Sequence, residues 1–374
     1  MNRFAKLARF SMKNLQHRCY VTSNTRTVDL RSDTLTRPSA EMRRAMFAAE
    51  VGDDVYKEDE TVNELERLAA QLFGMEKALF VPTGTMGNLL CLMSHCYGRG
   101  EELIIGSNQH VYLYEQGHFM RLAGIGARVL PNEPDGTIKL ESIKQNIRNA
   151  SDFHQSETKL ICLENTHMNC GGIPLTNDYL NQVGQLAREN GLQLHIDGAR
   201  VFNAAVATNQ PLSDILVEAN SVSMCLSKGL GCPIGSVIGG SEELMNKAIR
   251  IRKSLGGGIR QAGFLAAAGL YALEHGHIWI QRDHSNARML AEGIQELKFH
   301  DLIKVDLSKV KTNLVFTETP PGKSYEIQDR LIEKGILSIA FSDTKLRFVL
   351  HHDVGESDVH YALDKLNEVL QEMS

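Results

Sequence analysis

Short apolar runs that recur between helical stripes, each closing on a polar, glycine-containing turn, restrict this chain more than any other feature. Ala78 to Val81, Leu103 to Ile105, Lys159 to Leu163, Leu192 to Ile196 and Val222 to Leu226 read as strands buried on both faces. Helical patterns fill most of the gaps, as at Met86 to His95 and Asn177 to Glu189. The alternation predicts an α/β fold on a doubly wound, mainly parallel sheet. Gly235 to Gly240 follows the last run too soon for a helical crossover, so it is expected to run antiparallel.

Past Ala262 the pattern changes. A long helical region reaches Leu297 with a break expected at Gly276, and strand-like pieces follow at Asn313 to Thr317, Ile336 to Ala340 and Leu346 to Leu350. With helices at Tyr325 to Glu333 and Ser357 to Gln371, this predicts a smaller C-terminal α+β domain. A chain of 374 residues suits two such units, a large one over 28–275 and a small one over 276–374. The first 27 residues stand apart, with six Arg or Lys and no acid before Asp29. Their apolar residues fall at roughly helical spacing, and Arg18-Cys19-Tyr20 resembles a cleavage site. A mitochondrial matrix presequence is expected, a basic arm on a cytoplasmic protein being the alternative.

Composition removes several classes of function. A net charge of -5 gives no electrostatic reason to bind nucleic acid. Seven cysteines without a CxxC suggest a reducing compartment. Cys91, His95 and Cys96 come nearest to a metal set, but they lie in an apolar helical run and read as packing, so no metal is expected. No apolar stretch approaches the length of a membrane span.

In an open α/β sheet, ligands sit at the carboxyl ends of the strands. Two strands end there with chemistry: His195-Ile196-Asp197-Gly198-Ala199-Arg200, and Ser223-Met224-Cys225-Leu226-Ser227-Lys228-Gly229-Leu230-Gly231. An amine and a carboxylate brought to one edge are what pyridoxal phosphate requires, Lys228 for the Schiff base and Asp197 for the pyridinium nitrogen. An ion pair at about 3 Å in a medium of effective dielectric about 20 contributes roughly 5 kcal/mol before desolvation. Either residue alone would pass for an ordinary loop residue. Pro82-Thr83-Gly84-Thr85-Met86 follows a strand and opens a helix, so its free amides suit the phosphate, with hydroxyls from Thr85 and Ser227.

Taken with Asp29-Leu30-Arg31-Ser32-Asp33-Thr34, Gly52-Asp53-Asp54-Val55-Tyr56, Leu163-Glu164-Asn165-Thr166-His167 and Gly256-Gly257-Gly258-Ile259-Arg260-Gln261, these motifs resemble the low-specificity L-threonine aldolases. Those are pyridoxal-phosphate enzymes of the aspartate-aminotransferase fold, and the match runs from about Val28 to the C-terminus. The resemblance implies retro-aldol cleavage of L-threonine or L-allo-threonine to glycine and acetaldehyde. Another activity of the same fold, β-elimination or transamination, and a catalytically silent relative are the alternatives. It implies Lys228, Asp197, Gly84, Thr85, Ser227 and Arg200 around the cofactor. His110 is implied to stack on the ring, His154 to lie near the substrate side chain, and Ser32, Arg200 and Arg347 to hold the substrate carboxylate. Tyr56, Lys253 and Arg260 match positions near the substrate or a subunit interface, and active sites shared in a homodimer or homotetramer are implied. The segment Met168-Asn169-Cys170-Gly171-Gly172 departs from the family's order and is expected to reshape a loop.

Overall fold

The computed structural model describes residues 26–148 and 151–374. The segment on which the targeting expectation rests falls almost wholly outside the described residues.

Among the described residues thirteen strands follow in chain order: β1 (Val28–Asp29), β2 (Lys77–Val81), β3 (Glu101–Gly106), β4 (Gly126–Leu130), β5 (Glu157–Glu164), β6 (Gln193–Asp197), β7 (Ser221–Cys225), β8 (Ser236–Gly240), β9 (Lys304–Val305), β10 (Leu314–Glu318), β11 (Ile336–Leu337), β12 (Ile339–Ser342) and β13 (Lys345–Val349). Seven of them form one sheet in the order β2-β8-β7-β6-β5-β3-β4. All its pairs are parallel except those of β8, which runs against both β2 and β7 as expected. One strand of this sheet, β4, does not show in the sequence pattern. It is an edge strand with only Leu130 fully buried, so it lacks the continuous apolar run that marks its neighbours.

Among the helices are α1 (Glu60–Phe73), α2 (Gly84–His95), α3 (His110–Leu113), α4 (Asn177–Glu189), α5 (Glu242–Ser254) and α6 (Gly263–Glu296); α7 (Lys323–Glu333) and α8 (Glu356–Met373) belong to the C-terminal part. α1 shows why such segments are helical here. Asp59 caps its first turn by accepting from Val62 N, Gly74 ends it in the left-handed region, and Val62, Leu65, Ala69 and Phe73 make one buried stripe.

Helix α6 departs from expectation: it runs unbroken for 34 residues through Gly276. Gly276 is there for closeness, since a Cβ on it would stand 2.4 Å from Leu230 Cδ2. A division at 275/276 thus cuts the middle of a helix. Ala266, Ala268, Ala272 and Ile280 of α6 join the core of the large sheet, whereas Ala287, Leu290, Ala291 and Ile294 join a second core with Val315, Leu346 and Phe348. Val28 and Leu30 also belong to that second core, and β1 pairs with β11. The first described residues are therefore built into the C-terminal part, where the two-stranded β1-β11 sheet lies apart from an antiparallel sheet of order β12-β13-β10-β9. Among the described residues no helix is long and apolar enough to cross a membrane.

Candidate active site

Strand register sets the site. Glu164 at the end of β5 lies opposite Asp197 at the end of β6, which lies opposite Ser223 on β7. Three residues beyond β7 the chain turns at Lys228, whose carbonyl accepts a hydrogen bond from Thr36 Oγ1 at 2.9 Å. The turn brings the lysine charge close enough to act on Asp197, His110 and Asp33.

Asp197 is buried, with Oδ1 accepting from Ala199 N at 3.2 Å and Oδ2 left without any partner. Burial, then the charges of Glu164 and Glu115, push its carboxyl up to about 7, against the pull of His110 and Lys228. An ionised oxygen orphaned in the interior asks for a cationic donor. Donor atoms of His110, Glu115 and Asp197 lie within 4.8 Å of one another, a spacing that could also surround a metal ion. Two of these groups already close on each other through the bond between His110 Nδ1 and Glu115 Oε1. What is left over is a single carboxylate oxygen beside a lysine, which fits a protonated ring nitrogen better than a metal.

His110 opens α3 and is placed by two carboxylates. Its backbone N–H donates to Glu164 Oε2 at 2.6 Å, and its Nδ1 meets Glu115 Oε1 at 2.9 Å. Burial lowers the affinity of the imidazole for a proton, but Glu115 and Asp197 outweigh it and raise the net value. Neither glutamate is apparent as a site residue from the sequence alone. Glu115 follows His110 by five residues with no periodicity to mark it, whereas Glu164 stands in a run that also reads as strand.

At the other end of the site, α2 starts on β2. Thr83 caps the helix by accepting from Met86 N at 3.1 Å, and the amides of Gly84 and Thr85 in its first turn have no carbonyl to bond within the helix. Gly84 must be glycine, because a Cβ would stand 2.6 Å from Cys225 Sγ at the end of β7. The helix N-terminus is thereby held against the turn that carries Ser227 and Lys228, an anion seat beside an amine.

The third part joins the two halves of the molecule. Arg200 makes a forked pair with Asp33, Nε to Oδ2 at 2.7 Å and Nη2 to Oδ1 at 2.6 Å, and Asn313 Nδ2 adds 3.1 Å to Oδ2. Burial alone would push the Asp33 carboxyl up, but Arg200, Lys228 and Asn313 hold it well below the usual carboxylate range. Arg347 on β13 donates from Nη2 to Arg31 O at 2.9 Å and from Nη1 to Met168 Sδ at 3.4 Å, while its Nε is buried and unpaired. Burial and the neighbouring Arg200 lower Arg347 to about 10. Two guanidinium groups lie close enough for their charges to oppose each other, and the one carboxylate there, Asp33, is taken by Arg200, so the place lacks a second anion. Alternation along β13 holds as expected: Leu346, Phe348 and Leu350 enter the second core and Arg347 faces away from it. Ser32 lies in the same segment, its Oγ accepting from Thr34 N and Oγ1. The departing segment forms a short turn, Met168–Cys170, that lays the Met168 thioether against Arg347.

Four candidates are not brought to this cluster within one chain. His154 is exposed and bonded to Asp152 through Nδ1 at 2.9 Å. It precedes the start of β5 at Glu157, whereas β5 reaches the site at Glu164. Seven steps at about 3.3 Å each set it on the opposite edge of the sheet. Arg260 is exposed and paired with Asp53 at 2.9 Å, and Tyr56 and Lys253 lie exposed as well. The Cys91, Cys96 and His95 set is taken up in helix packing, with His95 Nε2 on Ser221 Oγ at 2.8 Å.

Residues 29–320 match the family model described as beta-eliminating lyase. Low-specificity L-threonine aldolase 1 of Arabidopsis thaliana is 46% identical over 353 residues, which is 93% of this chain and 98% of that protein. The chain belongs to this family of threonine aldolases. The low specificity L-threonine aldolase of Escherichia coli K12 is 42% identical over 332 residues, 89% of this chain and 96% of that one. The solved threonine aldolase of Leishmania major superposes with a TM-score of 0.76 at 18% identity, covering 91% of this chain and 99% of that one, a likeness in fold. The family is pyridoxal-phosphate-dependent, and the residues in place fit the cofactor: an orphaned carboxylate oxygen for the ring nitrogen, an amine in the turn after the neighbouring strand β7, and an open helix N-terminus for the phosphate.

Proposed function

We propose that the chain cleaves L-threonine and L-allo-threonine between Cα and Cβ, giving glycine and acetaldehyde. The observation that carries this reading is the buried, partnerless Oδ2 of Asp197, on which the charges of Lys228 and His110 act, with two guanidinium groups short of an anion in the same site. When bound, pyridoxal phosphate supplies the electron sink for the pair released as the Cα–Cβ bond breaks. Asp197 keeps the ring nitrogen protonated, Lys228 supplies the amine, and Gly84, Thr85 and Ser227 hold the phosphate. Arg347, with Arg200 behind it, seats the substrate carboxylate through its free Nε and so selects which Cα bond is aligned to break. His110 is the group placed to take the β-hydroxyl proton.

Acetaldehyde release from the four threonine stereoisomers tests the proposal. Release from the two L-isomers alone, lost in Lys228→Ala, is the expected result. Amino-group transfer to a keto acid, or ammonia and a keto acid from serine without acetaldehyde from threonine, would replace it with another reaction.

Two finer readings accompany it. Tyr56, Lys253 and Arg260 are exposed, as are large apolar side chains such as Phe47 and Phe264, which suits a homodimer or homotetramer in which they and His154 serve a partner's site. Mass measured in solution, with variants mixed to restore activity across subunits, tests this. The basic, acid-free start of the chain supports import into the mitochondrial matrix, which fractionation and N-terminal sequencing of the mature protein would check.

A further inference from the structure

A line of buried polar groups runs from His110 back beneath α2, and the direction of each hydrogen bond in it can be deduced. Glu115 is buried; its Oε1 meets His110 Nδ1 at 2.9 Å and Asn88 Nδ2 at 3.0 Å, and its Oε2 lies 2.5 Å from His118 Nε2. Burial alone would push the Glu115 carboxyl up, but the two imidazoles, His110 bonded to it and His118 in close contact, bring it below its ordinary value. An ionised carboxylate only accepts, so His110 carries its proton on Nδ1. Asn88 must turn its NH2 toward Glu115, which sets its Oδ1 against His195 Nε2 at 3.2 Å and makes that nitrogen the protonated one.

His195 Nδ1 then accepts from Ser221 Oγ at 2.8 Å. Ser221, its single proton spent, accepts in turn from His95 Nε2 at 2.8 Å. Burial holds both rings neutral, His195 lowered to about 3 and His95 to about 4. Each therefore has one proton to place, and each places it where the line demands. No second assignment satisfies every member, because an anchoring carboxylate at one end admits donors only.

We infer that Glu115 is a positioning residue: backed by Asn88 and His118, it fixes His110 in the Nδ1–H form and leaves Nε2 as the nitrogen that exchanges a proton with the reacting amino acid. Which ring nitrogen of a histidine carries the proton is set by what the other one bonds, and here the choice is made five residues from the histidine itself. The groups that face His110 come from several elements. Glu164 takes its backbone N–H, Asp197 and Glu115 favour its cation, Lys228 opposes it, and Tyr114 lies tilted 5.5 Å from its ring. Exchanging Glu115 for a neutral group removes the largest favourable partner of the imidazolium.

The inference rests on the cleavage reading, and its test can fail separately. Holoenzyme labelled with 15N in histidine gives solid-state spectra in which the two tautomers resonate apart, with His110 assigned by its loss in His110→Asn. Wild type is expected to show His110 protonated at Nδ1; a signal from the Nε2–H form overturns the inference whatever the enzyme turns over. Glu115→Gln is expected to keep the visible band of the bound cofactor. Its acid limb of kcat/KM should move to lower pH by about one unit, since an opposite charge at this range shifts a pKa by about that much or more. Glu115→Asp should restore the limb in part, and in a His110→Asn background Glu115→Gln should leave the profile unchanged. An unmoved limb in Glu115→Gln, or an equal shift without His110, refutes the role.

Discussion

At the scale of single residues, Asp197 is the group whose chemistry was plain in the sequence and whose cost was not. A carboxylate at the end of an apolar run beside a lysine-bearing strand can be read from residue order; that one of its oxygens would be buried without a partner cannot. Its folded value of about 7 stands above the ordinary 3.8. Between these values the folded chain holds a proton that the unfolded chain has lost, so in the cofactor-free protein this group lowers stability as pH rises through that window. Asp197→Asn removes the effect. Cofactor-free Asp197→Asn is therefore expected to gain in Tm relative to cofactor-free wild type at pH 8 and to gain less at pH 5, while binding pyridoxal phosphate more weakly at both. Calorimetry of the two proteins at the two pH values checks the sign, and an equal difference at both would mean that Asp197 is satisfied in a way its geometry does not suggest. His110, Glu115 and Glu164 carry the same lesson. The histidine was reached only through resemblance, because the two carboxylates that place it come from a loop and from a strand end that lie 49 residues apart in sequence and meet only through the sheet register.

Among the elements, α6 is where local reading and packing part company. Gly276 lies within a helical stripe, and propensity alone ranks glycine about 1 kcal/mol worse than alanine there, which is why a break was expected. The helix continues because Leu230, in the turn just after Lys228, fills the space a side chain would need. Replacing Gly276 by alanine should thus lower Tm despite the better propensity, overpacking costing about 1–3 kcal/mol, and Leu230→Ala in the same chain should recover part of the loss. A stabilised Gly276→Ala variant would show that the helix and the turn are not pressed together. Strand β4 failed to be read for the opposite reason: as an edge with one buried residue it needs little hydrophobic run, so pattern alone has nothing to find. By contrast β2, β3, β5, β6, β7 and β8 were legible as strands, because strands enclosed on both faces are mostly apolar; their order across the sheet, with β8 between β2 and β7, was not.

Over the whole molecule, the place proposed for the substrate carboxylate lies where the two cores meet, and its two arginines do unlike work. Arg200 comes from the large sheet and closes on Asp33, whose segment begins in a strand paired to the C-terminal part. Arg347 comes from the small sheet and arrives with Nε unpaired, braced by Arg31 O, by the Met168 thioether and by the Phe341 ring 5.6 Å beneath it. Removing one partner of a buried, forked ion pair costs about 3–5 kcal/mol because the other charge is stranded. Lysine in place of Arg200 cannot reproduce the fork on Asp33, so Arg200→Lys should act first on stability, with a lower Tm. Arg347→Lys strands no buried acid. It should leave Tm and the bound-cofactor spectrum close to wild type and raise KM for threonine about 10- to 100-fold, the equivalent of one charge-assisted hydrogen bond at about 1.5–3 kcal/mol. Steady-state kinetics beside thermal unfolding of both variants separates the roles: were Arg347→Lys to lose stability and keep KM, the guanidinium would be a brace between the two cores, and the carboxylate would have to bind elsewhere.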